Sequence, residues 1–524
     1  MERNLKLKLP NNHYTLIAIF IIAVGALVRI INFGKIPFGL NQDEAFAAYE
    51  AFSLLNYGVD SAGNAFPTYF VSWGSGMNVL QSYLAIPFMW LFGCTETVYR
   101  IPSLLCGLAA LPVFYLLLKK LFNKNFALIG LFLLSISPWH VMMSRWGLES
   151  NLSPAFLLFG LYFLIKGIEK NAFFLLSALF YGLSLYAYSV NWITVPFILI
   201  AFGIYIIKTN KKIKIGYVLS SCLILMIFAL PHILFLMING GIIPEIKTDF
   251  ISIPEMVYMR SNEISLLNLF TPNSWLNLFK ILFLQYDASF ISTFPYFGSF
   301  YHISLPFLIF GFIALVLKLK DDVKAKKLSG AYFILGGFII HAVVLLFITN
   351  ININKSNGMH LFTLAIITFG VYKTVNFVKG RRLALTSFLV AFTICFFGFC
   401  LYYFGESRAV MANNFSCELG KAVELVNENN CQKVAVDHSI YHSQILFYDK
   451  TPPAEFKNTV KYESYPVPYL KADSFGKYTF ISEYNRLGDY DAYVFPHSHL
   501  YFFDDNDFKI TVFEKYAVAI RLTR

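Results

Sequence analysis

Apolar residues in this chain come in long unbroken runs separated by short polar connections, not in the alternation of a half-buried strand. A hydrocarbon core about 30 Å thick needs roughly 20 apolar residues per helix. Eleven runs approach that length, at about 14–33, 101–118, 125–143, 153–165, 173–191, 193–207, 216–237, 303–317, 331–349, 360–372 and 384–404. Each predicts a membrane span. Segment 78–93 is also apolar, but it is short and contains Pro87, which predicts a juxtamembrane or re-entrant helix. Beyond 404 the runs cease. The tail reads as a small α/β domain, with a helix near 416–429, a strand from Lys433 to Val436, and β-rich segments near 478–483, 492–496 and 509–520.

Composition narrows the class. Of 524 residues, 57% are hydrophobic and 14% charged, whereas a soluble domain is about a quarter charged. That excludes an ordinary soluble enzyme, a disordered chain, a coiled coil and collagen. The net charge of +11 would suggest a nucleic-acid partner in a soluble protein, but here the placement of the cations accounts for it. With 78–93 not crossing, the connections at 1–13, 119–124, 166–172, 208–215, 318–330 and 373–383 share one side and hold 21 Lys and Arg, among them Arg3, Lys6, Lys8, Lys119, Lys120, Lys326 and Lys327. The opposite connections before the tail hold seven: Lys35, Arg100, Arg145, Lys247, Arg260, Lys280 and Lys355. The positive-inside rule then sets the N-terminus in the cytoplasm and the C-terminal tail outside the plasma membrane. A crossing 78–93 would carry Lys119 and Lys120 outside and scramble this pattern. The expected organisation is a polytopic α-helical membrane module over 1–404, with exterior loops 34–100, 144–152 and 238–302, and an exterior α/β domain over 405–524. Seven cysteines are too few for a disulfide framework. Cys417 and Cys431, flanking one predicted helix, are read as free thiols.

None of the 31 acidic residues falls inside a predicted span. Carboxylates at membrane depth mark proton and ion pathways, so a proton-driven pump is disfavoured and the exterior mouth is where chemistry is expected. Arg29 is the one charge within a span, near enough to its outer end to snorkel. His341, mid-span, reads as a neutral packed imidazole. On the exterior side, Asp43 and Glu44 follow the first span; adjacent carboxylates there suit a general base or a metal ligand, or equally acids at a helix N-terminus favoured by the dipole. Arg145 and Glu149 stand i, i+4 and can pair. Lys355, set among Asn352, Asn354 and Asn357, and Arg100, beside Pro102, can face a lipid headgroup or a ligand phosphate. There is no HExxH, P-loop, GxGxxG, nucleophile elbow or CxxC.

These residues lie in an order and on a side that resemble a known family. Asp43-Glu44 after span one, Gly63-Asn-Ala-Phe-Pro67-Thr-Tyr69, the stretch ending Leu91-Phe-Gly93, Tyr99-Arg100-Ile-Pro102-Ser103, and Ser144-Arg145 with Glu149 resemble the GT-C fold integral-membrane glycosyltransferases. Within these, they are most like the protein O-mannosyltransferases and the lipid A aminoarabinose transferase. The resemblance covers roughly the first third of the chain well, the other spans by topology alone, and the tail hardly at all. It implies transfer of a hexose or pentose from a polyprenyl-phosphate-linked donor to a hydroxyl of a protein, lipid or glycan acceptor on the outer face, with inversion at the anomeric carbon. By the same resemblance Asp43 is the general base, with Glu44 sharing its role, and Glu149 orients the acceptor. Arg145, Lys355, Arg100 and Arg260 are the candidates to neutralise the leaving phosphate. No cofactor is expected. Asn41 stands where the oligosaccharyltransferase branch carries the first acid of an Asp-x-Asp metal motif, so a divalent metal is not favoured. Two other readings remain open: a lipid-linked saccharide flippase, which needs a polar mid-membrane cavity, and a cell-surface glycan polymerase or ligase.

Overall fold

The computed structural model describes residues 10–259, 263–325, 328–484 and 487–522. Arg260, Lys326, Lys327, Arg3, Lys6 and Lys8 lie outside the described residues. Every predicted apolar run forms helix. Seven helices among the described residues are long and apolar enough to cross a membrane: Asn12–Ile30, Glu96–Leu121, Asn191–Thr209, Ile215–Asn239, His302–Lys324, Asn357–Phe377 and Arg381–Glu406. The other predicted spans appear as helices that are shorter or more polar, at Lys124–Ile136, Glu149–Gly167, Phe173–Ala187 and Gly330–Leu346. The doubtful 78–93 segment is a 13-residue helix, Leu80–Phe92. At 1.5 Å per residue it reaches only about 20 Å, short of a bilayer core.

One predicted span is divided. The run 125–143 is two helices, Lys124–Ile136 and Pro138–Met143, because Pro138 has no amide hydrogen to continue the ladder. The Ser137 hydroxyl caps the second helix, accepting from the His140 amide at 3.5 Å.

The chain divides into two compact units. The first comprises 1–31, 103–230 and 261–405. Its most enclosed span is Asn357–Phe377, 89% of whose apolar window is buried. Glycine makes this close packing possible. A Cβ on Gly311 would stand 2.1 Å from the Ile366 carbonyl oxygen, and one on Gly370 would stand 2.0 Å from that of Phe307. Small residues that admit a neighbouring backbone are the ordinary means of helix association in lipid. The outer helices leave Phe20, Leu219, Leu223 and Ile227 exposed, the apolar faces expected against acyl chains.

The second unit comprises 32–102, 231–260 and 406–524. It holds a two-stranded ribbon, β1 (Ile246–Lys247) and β2 (Ser252–Ile253), and a seven-stranded mixed sheet. The sheet strands are β3 (Val434–Asp437), β4 (Lys461–Tyr462), β5 (Ala472–Phe475), β6 (Tyr478–Ile481), β7 (Ala492–Pro496), β8 (Phe508–Val512) and β9 (Tyr516–Arg521), in the order β4-β5-β6-β3-β7-β9-β8. Central β3 runs parallel to β6 and β7 and is buried along its whole length, as a strand covered on both faces must be. The tail shares its core with the segment that follows the first span. Tyr49, on the Gln42–Tyr57 helix, donates its hydroxyl to the Thr451 carbonyl at 2.7 Å, and Ser443 donates to the Gln42 carbonyl at 3.0 Å. Cys417 and Cys431 are free thiols.

Candidate functional site

In the second unit the site grows from a capped helix. Asn41 accepts from the Asp43 amide at 3.1 Å and starts the Gln42–Tyr57 helix, with Asp43 and Glu44 in its first turn. The two acids are consecutive, so they project about 100° apart around the helix and do not share a partner. Glu44 is fully buried and meets Arg100 in a two-pronged ion pair, with Nε to Oε1 and Nη2 to Oε2 both 2.7 Å. The remaining Arg100 donors bond the carbonyls of Pro37 at 2.9 Å and Gly39 at 2.5 Å. Arg100 therefore neutralises Glu44 and ties down the 37–39 loop, in place of the phosphate contact expected of it. Glu44 likewise braces the loop and does not face an acceptor.

Asp43 turns the other way and is half-buried. The Trp73 indole nitrogen donates to its Oδ1 at 3.0 Å. Tyr441 packs edge-on against Trp73 at 5.5 Å and His442 at 5.1 Å, and Tyr469 lies tilted over it at 6.4 Å. The Asp43 charge, together with burial, holds the Tyr441 phenol above its ordinary range. Burial pushes His442 down to about 4, so this imidazole is neutral at pH 7. A half-buried carboxylate beside an aromatic cluster can accept a proton from a substrate hydroxyl brought within hydrogen-bond reach.

The same unit holds two buried acids that sequence reading passed over. Glu50 accepts from the Ser61 amide at 2.8 Å and from its hydroxyl, and Asp60 accepts from the Asn64 amide at 2.7 Å. Burial raises both carboxyls, Asp60 to about 6, and the Asp60 charge raises Glu50 further.

In the first unit Arg145 is fully buried. Its Nη1 donates to the carbonyls of Val28 at 3.1 Å and Arg29 at 2.7 Å, at the end of the first span, where a cation complements the helix dipole. Its guanidinium lies 5.6 Å from the Tyr403 ring and 5.2 Å from that of Phe404. Arg29 does not snorkel. It is fully buried and turns inward to the carbonyls of Gly25 at 2.6 Å, Ser135 at 3.0 Å and Leu134 at 3.1 Å, and to His140 Nδ1 at 2.7 Å. The break at Pro138 leaves the carbonyls of Leu134 and Ser135 without ladder partners, and Arg29 takes them. Glu149 opens the Glu149–Gly167 helix. Lys355 donates to the Thr349 carbonyl at 3.0 Å and lies 3.5 Å from Glu263. His341 is buried, its Nδ1 2.8 Å from the Gly337 carbonyl oxygen, as the packed imidazole expected. Among the described residues no three His, Cys, Asp or Glu converge as a metal site.

The predicted site residues thus divide between the units, with Asp43, Glu44 and Arg100 in one and Arg145, Glu149 and Lys355 in the other. Trp73, Tyr441 and His442 had no local signal. They approach Asp43 from chain 30 to 400 residues away, which no spacing rule reads.

Residues 79–235 match the family described as dolichyl-phosphate-mannose-protein mannosyltransferase. That stretch includes Arg100, Arg145 and Glu149 but neither Asp43 nor Lys355. No curated protein matches by sequence. Among solved structures, ArnT from Cupriavidus metallidurans in the apo state aligns with TM-score 0.53 at 11% identity, over 96% of this chain and 97% of that one. The same enzyme bound to undecaprenyl phosphate aligns with TM-score 0.55 at 10% identity, over the same shares. The protein has the GT-C fold of integral-membrane glycosyltransferases, with the mannosyltransferase family match lying over residues 79–235.

Proposed function

We propose that this protein transfers a sugar from a polyprenyl-phosphate-linked donor to an acceptor hydroxyl at the outer face of the plasma membrane. Asp43 takes the hydroxyl proton as the acceptor oxygen bonds to the anomeric carbon. The bond from that carbon to the phosphate oxygen breaks, and the prenyl phosphate leaves with the electron pair; attack opposite the leaving group inverts the centre. A base within hydrogen-bond reach contributes roughly 10²–10⁴-fold. Arg145 is the residue we assign to the donor phosphate, since its planar guanidinium is set against the Tyr403 and Phe404 rings and matches a phosphate's oxygens. Lys355 and Glu149 are secondary candidates for the phosphate and for orienting the acceptor. The reaction is read as metal-independent, and the carrier as undecaprenyl phosphate, the ligand of the ArnT structure of like fold.

The observation that carries this reading is the separation of the two acids. Glu44 is fully buried and neutralised by Arg100, while Asp43 is half-buried and accepts from the Trp73 indole instead of from an arginine. The test gives purified protein a radiolabelled polyprenyl-phosphate hexose with membrane extract as acceptor. Wild type should transfer label and Asp43→Asn, which keeps the oxygen that Trp73 bonds, should not. Equal turnover by the two proteins removes Asp43 from the chemistry.

A further inference from the structure

We infer that the acceptor is a saccharide, one ring of which is held in an aromatic cavity of the second unit that shares the Trp73 wall with Asp43. This rests on the reading of Asp43 as the acceptor base. The cavity measures about 240 Å³, below the roughly 300–1,000 Å³ of sites that enclose drug-sized molecules, and so suits a single small ring. Phe46, Trp73, His442, Phe456, Tyr462 and Tyr465 supply its aromatic wall. Tyr462 and Tyr465 lie nearly parallel, 26° apart with centroids at 6.3 Å, and Tyr465 is 66% exposed at the rim. On the inner side His442 stacks on Phe456 at 11° and 6.0 Å.

The polar groups are few. Lys457, Tyr462 and Tyr465 line the cavity, as does Ser61, whose own hydroxyl is given to Glu50. Its described lining has no carboxylate, and His442 is neutral, so the Lys457 ammonium is the one formal charge there. Flat rings with scattered hydroxyl and ammonium donors fit a pyranose, whose C–H face packs on an aromatic ring while its hydroxyl edge takes hydrogen bonds. They fit an extended peptide less well, since a peptide brings a row of backbone donors and acceptors needing partners.

Trp73 links the cavity to the base. Its φ is +51° and ψ +16°, a left-handed conformation that is strained in a bulky residue and persists only where the surroundings hold it. Two loops hold it here. The Leu470 amide donates to the Trp73 carbonyl at 3.0 Å, and the Tyr258 amide to the Gly74 carbonyl at 2.8 Å. That backbone turn sets the indole N–H on Asp43 while the ring walls the cavity. A sugar seated against Trp73 then brings a hydroxyl to the side where Asp43 lies.

The test is saturation-transfer NMR on the full-length protein in nanodiscs, with methyl α-D-mannopyranoside and methyl β-D-glucopyranoside as probes. Wild type should transfer saturation to the C–H protons of at least one glycoside, and Tyr465→Ala, a rim change in a folded protein, should remove most of it. In the transfer assay the same variant should raise the acceptor KM about tenfold with kcat little changed. Trp73→Phe should keep the glycoside signal but lower kcat, because it retains the ring and loses the N–H. The inference is overturned if neither glycoside receives saturation, or if Tyr465→Ala leaves the signal unchanged. It is also overturned if a serine-containing peptide, and no glycoside, gives a signal that Tyr465→Ala abolishes. Failure of the Asp43 reading is separable: Asp43→Asn would then consume donor normally whether or not glycosides bind at Tyr465.

Discussion

Arg100 and Arg29 are both fully buried, yet their surroundings differ in kind. Arg100 faces a carboxylate squarely and is neutralised by it. Arg29 meets three carbonyl oxygens and an imidazole nitrogen, dipoles that solvate its charge without cancelling it. A cation balanced by an acid fixes a loop. A cation solvated by dipoles keeps its field, and Arg145, bonded to the carbonyl of Arg29 itself, sits within that field. The contrast separates an arginine that fixes a loop through a carboxylate from one that fixes a broken span through backbone carbonyls.

The largest effect expected is on catalysis. Asp43→Asn should lower transfer by about 10²–10⁴-fold with the melting temperature little changed, whereas Glu44→Gln should act first on stability. Comparing Arg100→Met with Arg29→Met sharpens the contrast directly. Removing Arg100 leaves the Glu44 charge buried alone, a loss of about 3–5 kcal/mol. Removing Arg29 frees no opposite charge but leaves the Leu134 and Ser135 carbonyls without their donor, about 1–3 kcal/mol for each. Adding Glu44→Gln should therefore recover part of the melting-temperature loss of Arg100→Met and none of that of Arg29→Met; equal recovery would collapse the distinction. Arg145→Lys gives up the planar fork and the stacking on Tyr403 and Phe404. It should raise the donor KM about tenfold while a kcat measured at saturating donor changes less.

Glu50 and Asp60 predict a smaller, pH-dependent effect. Their carboxyls are raised in the folded protein, Asp60 to about 6, so folding favours their protonated forms. That contribution to stability is complete below the ordinary carboxylate range and is lost as pH rises through about 6. The melting temperature should therefore fall between pH 4.5 and 7, and Glu50→Gln should flatten that slope; a slope of the opposite sign would refute the assignment. The smallest effect belongs to Lys355, whose contact with Glu263 is part-exposed. Such pairs contribute about 0–1 kcal/mol, so Lys355→Ala should barely move the melting temperature, and any loss of activity would then report on ligand binding.

Much of the architecture was legible because it depends on local composition. Runs of twenty apolar residues have one stable form in lipid, since every backbone group must be satisfied within the segment, and each predicted run is a helix. Segment 78–93 was readable by the same length rule, and β3, β6 and β7 by their short apolar stretches between polar turns. The helix over His442–Asp449 was not seen, because its polar start and short length give no clear period. Pro138 was visible in the sequence, but not that it would divide a span and leave carbonyls for Arg29 to bond.

The helix position of Asp43 was legible for a similar reason, since an acid in the first turn of a helix is favoured by the local dipole. Sequence alone established a multi-pass membrane protein, with its lysines and arginines concentrated in alternate connections and an acid pair after the first span, because hydrophobic length and charge placement act within a few residues of one another. Only the tertiary structure decided which member of that pair meets an arginine, which arginine meets carbonyls instead, and that Trp73 bonds Asp43 with Tyr441 and His442 packed on its indole. Those outcomes depend on which distant side chains share a small volume from which water is excluded, where a single hydrogen bond or ion pair changes what a charge can do.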